Sequence, residues 1–87
     1  MIKQFCFNIF DAEVIVRIAP KWAKLYVNGN LSDYTLDSDD TTLMANVPKN
    51  IIIKAYITMS YDGYKSNCLL YARTANGTTE IQPVSVE

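Results

Sequence analysis

The chain has 87 residues, of which 49% are hydrophobic, and carries a net charge of -1. This composition predicts one small folded domain over residues 1–87 and excludes a disordered chain. Eight basic against nine acidic residues leave no excess that would indicate nucleic acid or an anionic membrane as partner. Histidine, the commonest general base and metal ligand, is absent. We therefore expect no enzyme, no cofactor and no metal site.

The first two runs of residues alternate apolar and polar side chains as β-strands do. Joining Phe5–Ile9 to Val14–Ile18 around Asp11-Ala12 sets Ile9 opposite Val14. Alanine is poorly suited to the positive φ of a type I′ turn, so a longer loop of the same parity stays open as an alternative.

The third run, Ala23–Val27, leads into Asn28-Gly29. This dipeptide is typical of a two-residue type I′ turn, because both central residues need positive φ. The turn predicts a returning strand over Asn30–Leu36, with Lys24 facing Asp33 as an opposite-charge pair.

An acidic connection over Asp37–Thr42 separates the two halves of the chain. The carboxylates of Asp37, Asp39 and Asp40 suit a hard cation such as Ca²⁺, although the spacing and glycine of an EF-hand loop are missing. A solvated acidic loop is the favoured interpretation. A short strand over Leu43–Val47 follows and ends at Pro48.

The second half contains the clearest hairpin. A two-residue turn at Asp62-Gly63 sets Ile57 opposite Cys68 on an inward face and Tyr56 opposite Leu69 on the outward face. We expect Ile57 to be buried, since the turn and the alternation agree.

A third turn signal, Asn76-Gly77, returns the chain as an edge strand over Thr78–Val86. The edge position follows from Pro83, which cannot donate a hydrogen bond to a ladder. This turn predicts Arg73 opposite Glu80 and Ala72 opposite Ile81.

Each half has one apolar face. The predicted core residues are Phe5, Phe7, Ile9, Val14, Val16, Ile18, Leu25 and Val27 in the first half and Ile53, Ile57, Met59, Cys68, Leu70 and Ile81 in the second. Packing these faces together predicts an all-β sandwich of about eight strands, built from two meanders. A small, partly open β-barrel is the alternative, since it would also protect the strand edges.

One hairpin resembles a known class of domain. Ile51 to Asn67, with Ala55-Tyr56, Tyr61, Gly63 and Ser66, is similar to the last hairpin of fibronectin type III or bacterial immunoglobulin-like domains. The resemblance covers about a fifth of the chain. It implies an immunoglobulin-like or related sandwich that serves in adhesion or binding, and it indicates no particular ligand.

Cys6 and Cys68 allow one disulfide. The N-terminal segment has no unbroken apolar run of the kind found in secretory signals. We therefore expect a cytoplasmic location (the host cytoplasm or the virion if the protein is viral) and two reduced thiols.

Two outward surfaces combine aromatic and basic residues. Trp22, Lys24 and Tyr26, with neighbouring Arg17, form the favoured partner-binding site, because Trp, Tyr and Arg dominate protein-binding hot spots. The other surface consists of Lys54, Tyr56, Leu69, Tyr71 and Arg73. For both, ordinary amphipathic strands with Lys and Arg stems lying over rings are the competing interpretation.

These features favour a non-catalytic protein-binding module. It would serve as an accessory component of a larger assembly, such as a phage virion, or as a small inhibitor of phage type. A carbohydrate-binding module that uses Trp22, Tyr26, Tyr34 or Tyr64 as sugar platforms is the alternative. Self-association through the edge strand Thr78–Val86 is a further expectation, because an open ladder can pair with another chain.

Overall fold

The computed structural model describes residues 2–48, 50–60 and 65–87. Within these ranges the chain forms nine β-strands in two antiparallel sheets. The strands are β1 (Lys3–Ile9), β2 (Ala12–Ala19), β3 (Trp22–Val27), β4 (Asn30–Thr35), β5 (Thr41–Val47), β6 (Ile51–Thr58), β7 (Asn67–Thr74), β8 (Gly77–Ile81) and β9 (Ser85–Val86). The first sheet has the order β4-β3-β2-β1-β9 and the second has the order β5-β6-β7-β8.

The two sheets pack face to face, so the predicted β-sandwich is confirmed, and the described strands do not close into a barrel. Alternate residues of the central strands form the core, because successive side chains of a β-strand point to opposite faces of the sheet. Ile57, for example, is only 2% exposed, as expected. Met59 and Ile81, which were predicted as core residues, lie at its margin and are partly buried.

The register between β6 and β7 agrees with the prediction from the hairpin. Ile57 pairs with Cys68 on the inner side, and Tyr56 pairs with Leu69 on the outer side. The turn signal itself, Asp62-Gly63, lies outside the described residues. The described strands on either side of it have the predicted pairing.

Two other hairpins differ from their predicted registers by two residues. Ile9 pairs with Ala12 instead of Val14, because the turn is at Phe10-Asp11 and not at Asp11-Ala12. Phe10 takes the positive φ of 53°, which leaves Ala12 free to enter β2 as a buried residue. A shift of two residues preserves the parity, so every predicted core residue of β1 and β2 still points inward.

The same shift occurs between β7 and β8. Glu80 pairs with Tyr71 instead of Arg73, and Ile81 pairs with Leu70 instead of Ala72. Gly77 has a φ of 117°, whereas Asn76 is not among the residues at positive φ, so the connection is not the type I′ turn that was predicted.

The turn at Asn28-Gly29 is confirmed, with φ values of 50° and 82°. The predicted pairing of Lys24 with Asp33 is wrong, because the register shifts between Leu25 and Tyr26 and places Tyr34 opposite Lys24. The bulge places Asp33 opposite Leu25. The Asp33 carboxylate accepts a hydrogen bond of 2.9 Å from the backbone N–H of Met44 on β5.

The C-terminal segment was predicted to be one strand over Thr78–Val86, and this prediction is wrong. It breaks after Ile81, beside Pro83, and the chain crosses from the edge of the second sheet to the edge of the first. There β9 pairs antiparallel with β1, with Phe5 opposite Val86. Backbone hydrogen bonds of 2.7–2.8 Å join Gln4 and Glu87 in both directions.

The order of the strands distinguishes this sandwich from the domains that its hairpin resembles. Here β1 to β4 form one sheet in sequence, and β5 to β8 form the other. Immunoglobulin domains instead exchange strands between their sheets through Greek-key connections. The sandwich architecture is therefore shared, while the connectivity is that of two consecutive meanders.

Candidate functional site

The sequence-predicted site lies together on the outer face of the first sheet. We call Arg17, Trp22, Lys24 and Tyr26 the Trp22 patch. Arg17 pairs with Lys24 across β2 and β3, and the Lys24 ammonium lies 4.8 Å from the centroid of the Trp22 ring. All four side chains are half-buried, so the surrounding chain already covers part of each. A cation over an indole stabilises this arrangement without a partner.

Arg17 has an unusual environment within the Trp22 patch. Its Nε atom is buried and has no hydrogen-bond partner among the described residues. Its cross-strand neighbours are Lys24, a second cation, and Gln4. Like charges directly opposite one another are unfavourable, so these two residues are not optimised for the stability of the isolated chain.

A second surface lies on the outer face of the second sheet, on β6, β7 and β8. It is an open groove of about 450 Å³, which we call the β6–β7 groove. Its lining residues are Ile52, Lys54, Tyr56, Leu69, Tyr71, Arg73 and Thr78. Five of these seven residues are the second aromatic and basic surface that the alternation predicted.

Cross-strand pairing organises the β6–β7 groove. Lys54 pairs with Tyr71 and Tyr56 pairs with Leu69, so aromatic, aliphatic and basic groups alternate along the two strands. The rings of Tyr56 and Tyr71 contact each other edge to face, with centroids 5.5 Å apart and planes at 80°. Such contacts fix aromatic rings in a defined orientation, which suits them to bind a ligand.

Large apolar side chains of this face are open to solvent. Tyr56 is 44% exposed, Leu69 43% and Ile52 39%, and the adjoining Met44 on β5 is 48% exposed. Met44 pairs with Lys54, so the apolar surface continues beyond the groove onto the edge strand. Scattered exposed apolar residues are common, but a contiguous set on one face indicates an interaction site.

The charges that line the groove are of one sign. Lys54 and Arg73 are its two charged residues, and neither forms an ion pair with any residue in the described ranges. Glu80, opposite Tyr71 on β8, is exposed and accepts a hydrogen bond from the Gln82 side-chain amide instead. The groove thus offers two cations, without ion-pair partners among the described residues, beside apolar and aromatic surface.

The acidic connection does not assemble a cation site in the described part of the chain. No group of three or more His, Cys, Asp or Glu side chains is placed to hold a metal ion there. The Asp40 carboxylate accepts a hydrogen bond of 2.8 Å from the backbone N–H of Met59, which gives it a role in joining the loop to the end of β6.

The two cysteines occupy opposite environments. Cys6 lies half-buried on the outer side of β1, and Cys68 is buried on the inner side of β7. Both are free thiols in the structure. Desolvation by burial raises the pKa of Cys68 to about 12, so this thiol is un-ionised and unreactive at neutral pH.

Sequence reasoning found most of the β6–β7 groove but did not choose it as the site. It missed Ile52, Met44 and Thr78, although each can be recovered from the parity of its strand. The outward surface of the first sheet was favoured instead, because it contains Trp22. The degree of exposure, which distinguishes Tyr56 and Leu69 from Trp22 and Tyr26, depends on neighbouring strands and cannot be read from the alternation within one strand.

Comparison of the chain with protein-family models, with curated proteins and with solved structures found no significant match. No helix long and apolar enough to cross a membrane occurs in residues 2–48, 50–60 and 65–87.

Proposed function

We propose that this chain is a non-catalytic protein-binding module and that the β6–β7 groove is its binding surface. The partner presents a large apolar side chain flanked by carboxylates. The apolar group enters between Tyr56 and Leu69, and the carboxylates face Lys54 and Arg73. Burial of apolar surface supplies most of the affinity, and the charges orient the segment.

The exposure of the groove carries the proposal. Ile52, Tyr56 and Leu69 are each about two-fifths exposed on one face, whereas the side chains of the Trp22 patch are half-buried. An exposed tyrosine beside exposed aliphatic groups resembles the composition of hot spots, in which aromatic anchors fill the partner's pockets. The groove volume of about 450 Å³ accommodates one or two side chains.

The charge of the groove favours an acidic segment. Lys54 and Arg73 have no carboxylate partner in the described residues, although the chain as a whole has a net charge of -1. The two cations of the groove therefore attract an anionic segment and repel a basic one. The neutral overall balance does not support an extended nucleic acid backbone as the ligand.

Both roles proposed from the sequence, an accessory component of an assembly and a small inhibitor, use a surface of this kind. Carbohydrate binding remains the alternative. It relies on Trp22 and Tyr26, which are half-buried, on Tyr34, which is 54% exposed, and on Tyr64, which lies outside the described residues. A glycan array with the wild-type chain tests that alternative directly.

The experiment is a selection from a library of random displayed peptides on the immobilised wild-type chain. We expect the enriched peptides to share one large apolar residue with Asp or Glu within a few positions. Their affinity should fall at least about tenfold on the double variant Tyr56→Ser with Leu69→Ser, because hot-spot side chains contribute on the order of 2 kcal/mol or more.

The matched control is Leu31→Ser with Tyr34→Ser, which removes two exposed apolar side chains from the first sheet. This control should bind the peptides as the wild type does, and circular dichroism should show both double variants folded. No enrichment, equal binding to the groove variant, or a basic consensus would each overturn the proposal.

A further inference from the structure

The four edge strands of the sandwich differ in how well they are protected. The β4 edge is bulged, because its register shifts opposite Leu25 and Tyr26. On β5, the Asp33 carboxylate occupies the N–H of Met44. The β9 edge is only two residues long. Bulges, blocked backbone groups and short edges are the devices by which proteins prevent pairing between edges.

The β8 edge has none of these protections in the described structure. It pairs with β7 over Gly77–Ile81 in an unbroken register and has four exposed residues and one half-buried residue. It contains no proline and no lysine, and its one charged residue is Glu80. Alternate residues of such an edge direct their N–H and C=O groups away from the sheet, where they are open to another strand.

We propose that β8 pairs antiparallel with β8 of a second copy of this chain, about a two-fold axis at Thr79. This register pairs Thr79 with its counterpart, Thr78 with Glu80 of the second copy, and Gly77 with Ile81 of the second copy. It uses all five residues of the strand. A register centred on Glu80 would place two carboxylates opposite each other, which is unfavourable.

The charges of this dimer are complementary. Arg73 pairs with Thr78 within one chain, and Thr78 meets Glu80 of the second copy. Arg73 and Glu80 of the second copy thus lie on the same outer face, two strands or about 10 Å apart in the backbone. Their long side chains can meet over the small threonine between them, and the two-fold axis makes this pair twice. Neither residue has an ion-pair partner in the described part of one chain.

The contact is small, which sets the expected affinity. Five residues from each chain bury less than the roughly 1,200–2,000 Å² of a standard interface. We therefore expect a weak dimer, with Kd on the order of 0.1 mM, that forms only at high local concentration. The dimer joins two four-stranded sheets into one of eight strands. Two β6–β7 grooves then lie on one face, about 20 Å apart.

The first test is the sedimentation of the wild-type chain between about 10 µM and 1 mM. The average mass should rise from monomer towards dimer over this range. Thr79→Lys places two ammonium groups at the axis and should weaken the dimer at least about tenfold. A control at an exposed position of another edge strand of the same sheet is Thr42→Lys on β5, which should dimerise as the wild type does.

The second test is a charge exchange that does not depend on the strength of the backbone ladder. Arg73→Glu and Glu80→Arg should each abolish self-association, since each puts like charges at both contacts. An equimolar mixture of the two variants restores opposite charges at both contacts and should dimerise like the wild type. A wild-type chain that stays monomeric at 1 mM would overturn the proposal. Dimerisation that Thr79→Lys leaves unchanged, or a mixture that remains monomeric, would also overturn it.

The dimer does not depend on the proposed function. Arg73 takes part in both proposed contacts, so the two are measured apart. Peptide binding by the groove is measured at concentrations far below the expected Kd of self-association, and each proposal can fail while the other holds.

Discussion

The Trp22 patch of the first sheet and the β6–β7 groove of the second contain similar residues, but the chain covers their aromatic side chains to different degrees. On the first face, Trp22, Lys24 and Tyr26 are half-buried, and the lysine lies over the indole ring. On the second face, Tyr56 and Leu69 are more than two-fifths exposed. The comparison teaches that an aromatic and basic composition does not by itself identify a binding surface. The two surfaces differ in the degree to which the chain covers its own side chains.

The largest expected effect on the free energy of unfolding compares an inward and an outward residue of strand β6. Ile57→Ala should lower the free energy of unfolding by about 2–5 kcal/mol, since Ile57 is 2% exposed and a cavity would remain. Ile52→Ala, on the outer face of the same strand β6, should lower it by less than about 1 kcal/mol. Urea denaturation measures both values. Similar losses for the two variants would mean that the assignment of inner and outer faces is wrong.

A smaller effect compares the two outer faces directly. The double change Trp22→Ala with Tyr26→Ala should destabilise the chain by about 2–3 kcal/mol, because it removes half-buried rings and the contact with Lys24. Tyr56→Ala with Leu69→Ala removes side chains that are more exposed and should cost about 1 kcal/mol. Thermal unfolding with both doubles measures the difference. Equal melting temperatures would contradict the distinction between the two faces.

The smallest effect compares the two thiols. Because burial raises the pKa of Cys68 to about 12, the unfolded chain loses this proton at a lower pH than the folded chain does. The resulting stabilisation is complete below the ordinary thiol pKa of 9.0 and is lost as the pH rises towards 12. Above pH 9, the stability of the wild type should fall more steeply than that of Cys68→Ala, by up to about 1.4 kcal/mol per pH unit.

Urea titrations at several alkaline pH values test this difference. Alkylation at neutral pH provides an independent check, since Cys6 should react in the native state and Cys68 only after unfolding. Rapid native labelling of both thiols would show that Cys68 is not held in the core.

The sequence predicted the face on which a residue lies much better than the residue with which it pairs. Every predicted core residue of β1 and β2 is buried, yet Ala12, another inward residue, was assigned to the turn, and the pairing was displaced by two positions. Burial decides which face of a strand points inward, so alternation carries that information strongly. The position of a turn depends on which residue accepts positive φ. Phe10 does so here, against the general preference for Asn or Gly, and no local pattern announces it.

The remaining differences arise from tertiary contacts. The bulge at Leu25 and Tyr26 lets Asp33 reach β5 in the other sheet, a contact that no single hairpin can reveal. Pro83 predicted one edge strand over Thr78–Val86; β8 does lie at an edge, but the strand ends at Ile81 and the chain crosses to the other sheet. The Trp22 patch and the β6–β7 groove were both visible as outward residues. Their different exposure depends on how neighbouring strands cover them.

The pairing of β9 with β1 has a consequence for how the chain folds. Each meander forms from neighbouring segments, whereas Phe5 and Val86 meet across about eighty intervening positions. Closing so large a loop is entropically more demanding than forming a hairpin, so it is expected to occur late. The first sheet would then exist for a time with β1 as an uncovered edge. In that interval its backbone could join a strand of a neighbouring molecule, and the rate of the final closure would determine how much of a concentrated refolding mixture aggregates.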